Sequence, residues 1–309
     1  MKNAMFSPKA GNRYEAKEIP RFFQGEKWLV LTGLFGFLLA AVCGIWWLTG
    51  GAAVAPGGDI SHAFSFDAAL GLFVLSTAAI VPLSGAGPKV RAFFRWSYVP
   101  LALYSYAAET VQNARGVNPR FLEDGAAAFD VAVGNIFASV AALLILYYLF
   151  FAGYFFRPGA YRRQPELAIG IRYAMAAVVV SFAAGIWISM NQGRTVGTDG
   201  NLIWLHGLGF HALQALPAVA WLSARAARRG FASRGYIHAA GISFLLGLLA
   251  IGWQTYLGRA LFVWSALPLA AAACFLISLA AGAVSFRLAF LEPGAGKGAS
   301  ASGDSAQLR

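Results

Sequence analysis

Eight long runs of apolar residues constrain this chain more than any other feature. They fall near residues 28–49, 64–84, 96–114, 129–155, 168–190, 203–224, 236–256 and 261–285. A helix needs about 20 such residues to cross the hydrocarbon of a bilayer. Inside a bilayer every backbone amide and carbonyl must be satisfied within the protein, so helices and closed barrels are the available folds. The alternating polarity of barrel strands is absent. Only 12% of the residues are charged, about half the share of an ordinary soluble domain. The sequence therefore predicts an all-α membrane protein with eight transmembrane helices, its main partner being the lipid bilayer.

The runs are flanked unequally by cations. Counting the loops and ends alternately, one side holds 20 of the 24 lysines and arginines and the other side 4. The positive-inside rule then puts both termini in the cytoplasm and the loops at 50–63, 115–128, 191–202 and 257–260 outside. The expected location is the cytoplasmic (inner) membrane. The same rule accounts for the net charge of +11 without nucleic acid, for which no aromatic-basic motif is present. Because the first run begins behind a long charged arm and is long enough to span, no cleaved leader is expected. The two cysteines, Cys43 and Cys274, lie inside predicted spans and read as packing residues.

Four short matches recur in order. Gly44-Ile45-Trp46 matches Gly185-Ile186-Trp187, and the His62 to Ala68 stretch matches His206 to Ala212. Leu83-Ser84 matches Leu222-Ser223, and Gln112 to Gly116 matches Gln254 to Gly258. The offsets are 141, 144, 139 and 142. The chain is read as a cytoplasmic basic arm (1–27), a first four-helix repeat (28–155), a cytoplasmic linker (156–167), a second four-helix repeat (168–289) and a disordered tail (290–309). An even number of spans in each half makes these parallel repeats.

Orientation and repeat gather the polar groups of the spans at one level. His62 and Asp67 open the second span, and Glu109, Gln112 and Arg115 close the third. Asp130 opens the fourth, while Arg194 follows the fifth. His206, His211 and Gln214 open the sixth, and Gln254 and Arg259 close the seventh. Ionisable groups at such depth are expensive and default to functional roles. Glu109 needs a cation, for which Arg115 and Arg259 are the candidates. The arginines serve equally as snorkelling side chains, and His62 and His206 as interfacial ones. His206 and His211 stand about 140° apart on a helix, so one unbroken helix does not offer both to one metal. In the corresponding places Asp67 stands in the first half and His211 in the second, which points to the second half for a working site.

Eight predicted spans divided four and four, with His62 and His206 opening the second span of each half, resemble the architecture of heme A synthase. That resemblance implies heme held by one histidine pair per half, drawn from the second and fourth helices. It reaches His62 and His206 only: the fourth and eighth spans offer Asp130, Asn135 and Trp264 instead of a second histidine. The family's Glu-x-x-His-Arg signature and outer-loop cysteine pair are absent. The HxxxxHALQALP and WQxxxGR runs are also similar to an uncharacterised bacterial membrane-protein family.

Two functional classes follow, with a third beside them. Heme or a transition metal could be held by His62, His206 and His211, since neutral imidazole suits iron and copper. Parallel repeats with polar sites also suit a transporter or permease for a small molecule. An accessory membrane protein without catalytic activity is the third class. No phosphate loop, zinc-protease motif or nucleophile elbow occurs, and no segment outside the spans is long enough for a catalytic domain.

Overall fold

The computed structural model describes residues 21–121 and 125–293. Most of the basic arm, the tail from residue 294 and the segment 122–124 lie outside the described residues.

Eight long helices and one short one make up the described residues. They are α1 (Lys27–Gly50), α2 (Ile60–Ile80), α3 (Pro88–Ala114), α4 (Ala128–Phe156), the short α5 (Pro158–Arg163), α6 (Pro165–Met190), α7 (Leu202–Ala227), α8 (Arg234–Tyr256) and α9 (Ala266–Phe290). Seven are long and apolar enough to cross a membrane. The exception is α3, which carries Lys89, Arg91 and Arg95 in its first turns and Glu109, Gln112 and Asn113 in its last. Its polar groups are not solvent-facing decoration: Glu109, Gln112 and Asn113 are buried. The fold is thus all-α and membrane-like, with the third helix set apart by its interior polarity.

Several boundaries differ from expectation for local reasons. Pro82 has no amide to donate, and the end of the second run tightens into a 3-10 turn over Val81–Ser84. The third helix starts at Pro88, eight residues before the expected Trp96, with proline in its first turn. That position suits proline because its missing donor has no helical partner anyway. Residues 261–265 are bends, and the last helix starts only at Ala266. The linker 156–167 holds α5.

Two small antiparallel ribbons were not expected. Ala53–Val54 (β1) pairs with Gly58–Asp59 (β2), and Thr195–Val196 (β3) pairs with Gly200–Asn201 (β4). Each leads directly into a helix through a polar N-cap. Asp59 accepts the Ser61 amide at 2.8 Å and the Ser61 hydroxyl at 2.6 Å. Asn201 accepts the Ile203 amide at 3.0 Å. Each ribbon is also fastened to the end of a later helix, where the Gly57 amide donates to Gly116 O at 2.8 Å and the Asp199 amide to Gly258 O at 3.0 Å.

Partial burial pulls the Asp59 carboxyl upward, but the two Ser61 hydrogen bonds and the neighbouring His62 outweigh it and hold it below the usual carboxylate range. A depressed folded value means stability that is present above the unfolded value and lost as pH falls through the folded one. Asp59→Ala should cost about 1 kcal/mol, the usual loss for an N-cap, and Asp59→Asn much less. Unfolding midpoints across a pH series check this: the gap between wild type and Asp59→Ala should close only in acid.

Helix pairs cross at small residues, as membrane bundles do when no hydrophobic force separates helix from lipid. A Cβ on Gly33 of α1 would lie 2.9 Å from Gly71 O of α2, and one on Gly71 would lie 2.9 Å from Gly33 O. In α7, Gly209 fits as closely against Ala177 O and Ser181 of α6. The two groups of helices meet through aromatics: Phe73 of α2 lies 4.9 Å from both Tyr148 of α4 and Phe210 of α7, and Phe182 of α6 joins them. Gln214 of α7 donates to Ser76 of α2 at 2.7 Å across the same seam.

Candidate functional site

Asp67 lies seven residues past the start of α2, about 10 Å along the helix axis. It is completely buried. From α3, Tyr106, Glu109, Thr110 and Asn113 repeat at spacings of three and four, so they share one stripe, and that stripe faces α1 and α2. Thr110 Oγ1 donates to Asp67 Oδ2 at 2.8 Å. Asp67 Oδ1 has no hydrogen-bond partner, and neither does the buried Tyr106 hydroxyl. Cys43 of α1 is buried close to Asp67 and Thr110.

Two ion pairs flank this pocket of polar atoms. Arg120 reaches in from the segment after α3 and forks onto Glu109, with Nη2 at 2.9 Å from Oε2 and Nε on Oε1. Its guanidinium also lies over Phe66, 5.3 Å from the ring centre. Asn113 donates to Glu109 Oε2 at 3.2 Å and accepts the Asp59 amide at 3.0 Å, joining the site to the first ribbon. Arg115 Nη1 and Gln112 Nε2 both donate to Asp130 Oδ1, at 2.8 and 2.9 Å. Each of these carboxylates therefore has its own arginine. Asp67 has none.

Comparison with protein-family models, curated proteins and solved structures returned no match for this chain. The arrangement of the side chains has to carry the functional reading alone.

Of the residues singled out from the sequence, Asp67, Glu109, Gln112, Arg115 and Asp130 come together. The histidines do not. His62 and His211 are exposed. His206 is turned against α6, with Nδ1 2.8 Å from Ser181 O and its ring edge-on to Phe210 at 4.8 Å. His211 Nδ1 lies 3.2 Å from Gln214 Oε1. A heme or transition-metal centre needs imidazoles converging on one point, and these three have separate neighbours. Among the described residues no group of three or more His, Cys, Asp or Glu could hold a metal ion. The residues present do not fit the heme pair implied by the resemblance.

The remaining residues fall elsewhere. Arg194 and Arg259 are exposed, and Glu109 takes neither Arg115 nor Arg259 but Arg120. Gln254 is buried and donates to Ala260 O at 2.7 Å, closing the end of its own helix.

The spacing of the two ribbon-and-cap units also differs from the expected offset of 144 between His62 and His206. The two N-caps, Asp59 and Asn201, stand 142 residues apart, as do Gly116 and Gly258. His206 then falls opposite Phe64 rather than His62, and Gly209 opposite Asp67. Packing agrees: Gly44 lies against Phe64, while Gly185 lies against His206. At the same spacing Glu109 and Thr110 correspond to Ile251 and Gly252. The buried carboxylates Asp67, Glu109 and Asp130 lie on α2, α3 and α4, whereas His206 and His211 lie on α7.

Thr110, Asn113, Tyr106, Arg120 and Cys43 were missed from sequence. The stripe of α3 was legible from its spacing. Arg120 was not, because its pairing depends on how the segment after α3 folds back.

Proposed function

We propose that this chain is a multi-pass protein of the cytoplasmic membrane that binds and passes a small polar solute through a site in its first half. The reading takes eight spans arranged as two parallel four-helix repeats, with both termini in the cytoplasm. One observation carries it: Asp67 is fully buried in an apolar helix, and one of its oxygens has no partner. Such a group costs free energy in a bilayer and is retained where something binds it. The two ribbon-and-cap units 142 residues apart support the repeat. The excess of lysine and arginine at the opposite end supports the orientation. The site then lies toward the outer end of the bundle.

Cys43 is a built-in reporter for this reading. It is buried beside Thr110, so a thiol reagent reaches it only when the bundle opens. With Cys274→Ser removing the other thiol, a small membrane-impermeant thiosulfonate applied from outside to the protein in vesicles should label Cys43 in the folded state. Labelling that waits for denaturation would overturn the permease reading.

A further inference from the structure

The buried polar cluster carries one negative charge too many. Glu109 is matched by Arg120, and Asp130 by Arg115. Cys43 from α1, Tyr106 and Glu109 from α3, and Arg120 from the following segment are the titratable or charged groups that act on Asp67. From α4 the ionisable side chain at this level is Asp130, already held by Gln112 and Arg115. No cation among the described residues pairs with Asp67. An isolated ionised carboxylate in a low-dielectric interior is far costlier than its neutral form, and a second carboxylate nearby adds to the cost.

Space decides what can supply the missing positive charge. Tyr106 is pressed onto α1 so closely that a Cβ on Gly36 would lie 2.5 Å from its hydroxyl oxygen. Thr110 already occupies Asp67 Oδ2. A metal cation wants several oxygens around it, and the two orphan oxygens here, Asp67 Oδ1 and Tyr106 Oη, are too few. A proton needs only one acceptor.

We infer that Asp67 is a proton-binding site, loaded from water at the ribbon end of the bundle through the polar stripe of α3. This rests on the same site as the permease reading and names one of its ligands. A hydronium ion at that end gives up a proton and is left as water, its O–H bond breaking as an O–H bond forms at Oδ1, and the carboxylate becomes a neutral acid. Tyr106 Oη, the other orphan, is available to accept that O–H through one water. Glu109 already has its counter-charge in the forked Arg120. Proton uptake therefore changes the charge of one residue and leaves both ion pairs intact.

Infrared difference spectroscopy of the full chain in lipid nanodiscs, taken across a pH titration, tests this. Wild type should show the carbonyl stretch of a buried protonated carboxyl group that appears and disappears with pH. Asp67→Asn should lose that band. Thr110→Val and Tyr106→Phe, which remove one hydroxyl each, should shift its frequency. Replacing choline chloride by sodium chloride should leave the titration unchanged. A wild type without the band, or a band untouched in Asp67→Asn and in both hydroxyl variants, would overturn the proposal. Displacement of the band by sodium would overturn the proton as the occupant. Should Asp67→Asn fail to fold, the wild-type titration and the two hydroxyl variants still decide. The two readings separate cleanly: a titrating Asp67 band with Cys43 unlabelled keeps the proton site and removes the permease. Labelled Cys43 with no band does the reverse.

Discussion

Arg120→Ala is expected to lower the stability of the protein in detergent micelles by about 3 kcal/mol. Breaking a buried pair by removing one partner costs about 3–5 kcal/mol, because the other charge is left uncompensated. The lower end applies since the Arg120 side chain is 35% exposed, while Glu109 is fully buried. Contact with the Phe66 ring is lost as well. The control is Glu109→Gln in the Arg120→Ala background. Neutralising the orphaned carboxylate should recover a large part of the loss, while Glu109→Gln alone should cost less than Arg120→Ala. An unfolding titration of the four proteins reads the cycle directly. Equal stability of Arg120→Ala and wild type would mean that the pair contributes nothing.

Gly116→Val should be at least as damaging, by about 3 kcal/mol or more, for a backbone reason. Gly116 has φ +81°, and a Cβ there would sit 2.0 Å from Ala55 O of the first ribbon. The left-handed conformation alone costs a side chain about 1–2 kcal/mol, and the clash forces the ribbon off the end of α3. Its counterpart offers a graded comparison. Gly258 has φ +68°, but a Cβ there would meet nothing closer than Gly197 Cα at 3.0 Å. Gly258→Ala should thus lose mainly the conformational 1–2 kcal/mol or so. Melting curves followed by size-exclusion recovery would rank the two; the reverse order would break the structural argument.

These variants show which parts of the molecule could be read from the residues. Hydrophobic length alone located the helices, because a bilayer leaves the backbone no other choice. It failed where the local rule changed, as at Pro82 and across residues 261–265. The ribbons left a signal in Pro56-Gly57-Gly58-Asp59 and Gly197-Thr198-Asp199-Gly200, which are turn sequences, although short loops between spans did not demand strands. The carboxylates of the site were legible as costly groups in apolar runs. Their partners were not, since Arg120 lies outside every span and reaches Glu109 only after the chain turns back. Matched letters also do not fix matched helix positions, as with His62 and His206: two residues of shift turn a side chain by about 200°.

The ribbons also sort the helices by how they are tied together. In the first half α1, β1, β2, α2 and the end of α3 are joined through main-chain atoms at Gly57, Gly58 and Gly116. The ribbon of the second half is bound in the same way to α6, α7 and the end of α8 through Gly258. Neither ribbon touches α4 or α9 in this manner. Each ribbon therefore braces three helices as a tripod, and among the described residues no main-chain hydrogen bond ties α4 or α9 to it. The Asp67 site lies wholly within the first tripod, apart from the Asp130 latch on α4. Swinging α4 away would release that latch and leave the carboxylate, its threonine and its tyrosine in their places.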